Sequence, residues 1–71
     1  MELRRVLARN VVRRRNALAY SQEEVAHLAG IDRTWVSTLE NAKAAVSIDV
    51  IEGVARALGV DPSELLRREP E

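Results

Sequence analysis

Four short polar residues divide this chain into helices. Ser21, Asp32, Ser47 and Asp61 each precede a run of helix formers. There a side-chain oxygen can accept from backbone N–H groups that have no partner inside the helix. Ser21 with Glu24, and Asp61 with Glu64, have the spacing of a capping box, and Pro62 fills the first helical position after Asp61. Asp49 lies in the first turn after Ser47, where the helix dipole favours it. Gly30 and Gly59 follow the second and fourth helical runs, as residues suited to a left-handed stop. The expected fold is all-α, a compact five-helix bundle without strands or linkers. Residues 1–71 form a single domain with its core over about 3–67, and 68–71 form a frayed tail.

The first helical run, about residues 2–18, carries Leu3, Leu7, Val11 and Leu18 at helical spacing, with Val6 beside them. Arg14 interrupts this stripe and is expected to lay its stem along apolar surface with the charge outside. The net charge of zero conceals an asymmetry: residues 1–20 hold six arginines against Glu2, and the rest of the chain carries the compensating acids. A uniformly basic coat for polyanions is thereby excluded, while a locally basic face is not. Arg13, Arg14 and Arg15 read either as a phosphate clamp or as a solvated charge run. The Arg-rich opening also has the look of a transit peptide, but it lacks serines and leads straight into the next helix.

With no cysteine and one histidine, the chain offers neither disulfides nor a metal-ligand set, and His27 reads as a surface residue. No cofactor is expected. No apolar run approaches the roughly 18 residues of a membrane span, so no membrane partner is expected, and the lack of cysteine fits a reducing, cytoplasmic setting. Nothing resembles a catalytic triad or a phosphate-cradling loop, and no small-molecule ligand is evident. An enzyme is not expected.

The stretch "GIDRTWVSTLENAK" holds the informative anomaly. On a helix capped by Asp32, the side chains of Arg33, Thr34, Ser37, Thr38 and Asn41 fall within one arc. An ordinary solvated face would use Lys, Glu and Gln, which favour helix more than Ser, Thr or Asn do. Short donors and acceptors suit a surface that another polar surface approaches closely. Just upstream, Val25, Ala26, Ala29, Gly30, Ile31, Val36 and Leu39 have the types and spacing of two helices crossing steeply over a tight turn.

In "SQEEVAHLAGIDRTWVSTLE" and "VSIDVIEGVARALGVDPSELL" the chain resembles the phage-repressor, or Cro-like (xenobiotic-response-element), helix-turn-helix family. The resemblance covers about residues 7–67 and implies a lambda-repressor-like domain whose third helix enters the major groove of double-stranded DNA. It implies that Gln22 contacts a phosphate at its helix start, that Arg33, Thr34, Ser37, Thr38 and Asn41 face bases or adjacent phosphates, and that Lys43 touches the backbone from the following loop. Arg15 and Glu40 match a family pair that forms an internal salt bridge. Trp35 is expected to wedge between helices as a core anchor, with a place beside the DNA backbone as the other reading.

Ala19, Ala42 and Val46 depart from the family pattern, which has Gly, Gly and Pro there. A left-handed conformation strains a residue with a side chain, so the loop after Asn41 is expected to take another path. The implied function is a sequence-specific transcription regulator. It would be a repressor acting as a homodimer on an inverted repeat, or a controller of restriction-modification genes. The alternative is an antitoxin-type module that holds a toxin protein. Dimerisation is expected through a small-residue strip on the fourth helix, comprising Val50, Gly53, Val54 and Ala57, with Leu65 and Leu66.

Overall fold

The caps form where those polar residues stand. In the computed structural model, which describes residues 2–68, five helices follow in order: α1 (Glu2–Ala17), α2 (Gln22–Ala29), α3 (Arg33–Glu40), α4 (Ile48–Leu58) and α5 (Pro62–Leu65). The described residues contain no strand. The tail expected at 68–71 lies, apart from Arg68, outside the described residues. Ser21 Oγ accepts from the Glu24 N–H at 3.0 Å, and the Glu24 carboxylate accepts from the Ser21 N–H at 2.7 Å, completing the capping box. Asp32 and Ser47 cap α3 and α4 through the N–H groups of Thr34 and Val50. Asp61 differs from expectation in detail: it accepts from the Ser63 N–H and hydroxyl, one residue earlier than a box requires.

The first four helices stop in one way. Tyr20, Ile31, Lys43 and Val60 each donate a backbone N–H to the carbonyl five residues earlier, on Arg15, Ala26, Thr38 and Ala55. The residue before each is left-handed. At Gly30 and Gly59 that is free of strain, but Ala19 (φ 60°) and Ala42 (φ 56°) adopt it as well. The expectation that Ala42 would divert the loop is therefore corrected. The Ala42 and Lys43 N–H groups bond to Leu39 and Thr38 carbonyls at 3.1 and 3.2 Å. Those bonds satisfy carbonyls that the helix end would otherwise orphan, and they outweigh a left-handed cost of about 1–2 kcal/mol.

Leu7, Val11, Val25, Val36, Leu39, Val54, Ala55, Leu58 and Leu65 make the core, drawn from all five helices. α2 packs against both α3 and α4, and α1 against α3 and α5. Gly53 explains the closeness of α2 and α4, since a Cβ there would lie 3.2 Å from the Ala29 carbonyl oxygen. For three residues of the expected dimer strip this is a correction. Gly53, Val54 and Leu65 are buried within their own chain, while Val50, Ala57 and Leu66 are half-buried. A small residue on a helix edge admits any neighbouring helix, and here the neighbour is intramolecular.

Two α1 side chains hold the far helices by their ends. Asn10, 8% exposed, donates through Nδ2 to the Leu65 and Arg67 carbonyls at 2.8 and 2.9 Å. Arg14 Nε donates to the Leu58 carbonyl at 2.9 Å. Arg14 thus caps α4 rather than merely lying on apolar surface with its charge outside.

The shared helix stop leads to a stability prediction. Ala42→Gly and Ala19→Gly should each stabilise the domain by about 1 kcal/mol, raising the melting temperature by roughly 4–8 °C. Thermal melts of both variants check this, and a lower melting temperature in either would show that the left-handed stop is not the strained element.

Candidate nucleic-acid interface

α3 presents its two faces differently. Val36 and Leu39 are 1% and 2% exposed and fix the helix to the core. On the outward arc Arg33, Thr34 and Asn41 are exposed and Ser37 and Thr38 half-buried, with Lys43 exposed on the loop beyond. The structure therefore brings the predicted arc together on one surface. Among the described residues, the side chains of Arg33, Ser37, Thr38 and Lys43 make no hydrogen bond to the protein. Thr34 is different: its hydroxyl donates to Asp32 Oδ1 at 3.1 Å, which leaves its oxygen as an acceptor. Asn41 Nδ2 donates back to the Ser37 carbonyl at 2.8 Å, committing one of its two N–H groups. The same Asp32 carboxylate accepts the Thr34 N–H, and these two bonds hold it below its usual carboxylate range.

Trp35 is the residue misplaced by sequence reasoning. It is 42% exposed and lines an open concavity with Asp32, Thr34 and Thr38. The expected core wedge is corrected for a geometric reason. Val36 and Leu39 take the centre of the inward face, and Trp35 projects from its edge toward the polar arc. Counting around the wheel, rather than judging by side-chain type, would have found it.

Behind the arc lies a lock. Glu40, its side chain 6% exposed, accepts from Arg15 Nε at 2.6 Å and Nη2 at 3.0 Å, a two-pronged pair. Gln22 Nε2 donates to the same carboxylate at 2.9 Å, and Arg15 Nη1 reaches the Tyr20 carbonyl at 2.9 Å. Hydrogen bonding to Glu40 raises the Arg15 pKa further above its already high value. One carboxylate thus ties α1, the start of α2 and the end of α3 into a fixed relation. Gln22, expected at a phosphate, spends one amide N–H inward, and its side chain keeps a second. The described residues hold no group of His, Cys, Asp and Glu arranged to bind a metal, and no helix long and apolar enough to cross a membrane.

The lock has a measurable strength. Glu40→Gln should destabilise the domain by about 3–5 kcal/mol, because it leaves the Arg15 guanidinium half-buried without its countercharge. Replacing the pair together, Arg15→Met with Glu40→Leu, should cost much less. Chemical denaturation of both proteins tests this, and equal costs would mean that the Arg15 guanidinium left without its countercharge carries no penalty of its own.

Comparison with known proteins places this geometry. The family described as Helix-turn-helix domain matches residues 6–67. The chain is 43% identical over 65 residues to the Neisseria hypothetical transcription factor of Neisseria meningitidis serogroup B; the match covers 92% of this chain but only 61% of that protein. It is 32% identical over 69 residues to control protein C.SmaI of Serratia marcescens, covering 97% of this chain and 82% of that one. The crystal structure of the restriction-modification controller protein C.AhdI from Aeromonas hydrophila superposes with a TM-score of 0.84 at 34% identity, over 87% of this chain and 94% of that one. The chain belongs to the helix-turn-helix domain family, together with the control proteins of this kind.

Proposed function

We propose that this protein is a sequence-specific, double-stranded-DNA-binding transcription regulator that acts as a homodimer on an inverted-repeat operator and represses from it. The observation that carries this reading is the outward arc of α3, where Arg33, Ser37 and Thr38 hold hydrogen-bonding groups with no partner in the described chain, on a helix whose other face is locked into the core. Base edges in the major groove offer donors and acceptors at this range. In this role Arg33 reads a guanine edge, Ser37 and Thr38 meet neighbouring bases, and Thr34 accepts from a base amino group. Asn41 and Lys43 reach the phosphate backbone at the end of α3, and Gln22 offers its second N–H to a phosphate at the start of α2. Trp35 borders the same surface and packs beside the sugar-phosphate chain. Kinship with a transcription factor and control proteins supports a regulatory, non-enzymatic role.

Selection of bound oligonucleotides from a random pool should yield one preferred half-site, repeated in inverted order about one helical turn apart. Arg33→Ala should weaken binding by about 1–3 kcal/mol and relax preference at one base pair, and Thr38→Ala should act at another. Uniform losses across all sequences would reassign both residues to phosphate contact and remove the readout role of α3.

With Gly53, Val54 and Leu65 turned inward, the dimer needs another face. Ile48 at the start of α4, 81% exposed, is the most exposed large apolar side chain among the described residues. Half-buried Ile51 lies one turn further along the helix. Burying Ile48 against its two-fold mate would also offset the small core of a 71-residue chain. Ile48→Glu should sediment as a folded monomer with weakened operator binding. An unchanged dimer would exclude this face.

A further inference from the structure

Arg5, Arg9 and Arg13 stand four residues apart along α1, and all three are exposed. Like charges at this spacing lie one above the next and repel. The residues three positions on from each, Ala8, Val12 and Asn16, are neutral. An ordinary solvated helix would interleave carboxylates; the one acid of α1, Glu2, stands three positions before Arg5, and none lies within a turn of Arg9. The row is also well placed. Arg5, Arg9 and Arg13 share one open concave surface with Asn41 and Ala42, at the end of the recognition helix. Glu40 lines that surface too, but both its oxygens are taken by Arg15 and Gln22, so it offers Arg5 and Arg9 little neutralisation.

We infer that this row is a second DNA contact, a cationic rail on α1 that follows the phosphates of one strand beyond the bases read by α3. The inference rests on the reading of α3 as a DNA-reading helix. Successive guanidinium groups rise about 6 Å apart along the helix, which suits a line of regularly spaced phosphates. A rail of this kind carries no sequence information. It adds affinity, salt dependence and footprint length. It also gives a chain of zero net charge an oriented approach to DNA, because residues 1–20 are basic and the remainder acidic.

The test compares the wild-type chain with Arg5→Gln/Arg9→Gln and Arg5→Lys/Arg9→Lys on the selected operator, embedded in a longer duplex. Binding is measured as a function of salt, and the backbone is mapped by hydroxyl-radical protection. Arg5→Gln/Arg9→Gln should keep the wild-type sequence preference. Its log-affinity against log-salt slope should flatten by about two per subunit, roughly four for the dimer on its operator, and protection of the flanking phosphates should disappear. The lysine variant should retain most of the slope. Thermal melts of both variants should match or exceed the wild type, since substitution at exposed, mutually repelling sites removes no core contact. An unchanged slope and footprint in Arg5→Gln/Arg9→Gln, with specific wild-type binding intact, overturns the rail while leaving the α3 reading in place. A wild-type chain that does not distinguish the selected site from random duplex overturns both.

Discussion

The carboxylate of Glu40 is where the domain's geometry is decided. Three helices meet on it: α1 through Arg15, α2 through Gln22, and α3 by carrying it. A hydrophobic core alone tolerates small rotations of one helix against another, because apolar contact has no direction. A two-pronged guanidinium–carboxylate pair does have direction, and in a poorly hydrated setting it resists misalignment. The orientation of the outward arc of α3 is thereby set from behind, by a carboxylate whose bonds run to the other two helices.

The same economy shows in the helix ends. The segments between the helices are short, so the helices stop abruptly and turn at once. Four of them do so with one left-handed residue and a backbone bond spanning five positions. The stop after α3 matters most for the outward arc, since the Lys43 N–H closes it on the Thr38 carbonyl while Asn41 folds back to the Ser37 carbonyl. Alanine at that stop keeps the geometry at some cost in stability. Natural domains commonly operate below their attainable stability, and an element beside a binding surface is a usual place for the deficit.

Local chemistry was legible in the chain, and long-range choice was not. The caps at Ser21, Asp32 and Ser47 follow from bonds over two or three residues, and the polar arc follows from an imbalance between helix propensity and side-chain type. Both are visible in a window of one or two turns. Asn10 and Arg14 were missed as structural donors because their acceptors lie 44 to 57 positions away, and no spacing rule reaches that far. Gly53 was legible as a site of close helix approach, but periodicity does not say which helix approaches. Trp35 was read by its apolar bulk, and only its place on the wheel reveals that the inward face was already full. Ala42 was judged by its intrinsic preference, whereas the backbone bonds around it decided its conformation.

The Asn10 clamp bears on the order in which the chain can be completed. A helix of four residues has no independent existence in water. α5 therefore depends on the carbonyl-to-amide bonds that join it to α1 across a separation of 54 to 57 residues. Closing a loop of that span carries an entropy cost that only a preassembled partner surface can offset. During synthesis, α1 through α4 emerge with the Asn10 amide still exposed to water, and the amide is satisfied only once Leu65 to Arg67 have left the ribosome. α1 and α5 thus form one joint, and it cannot close before Arg67 has been made.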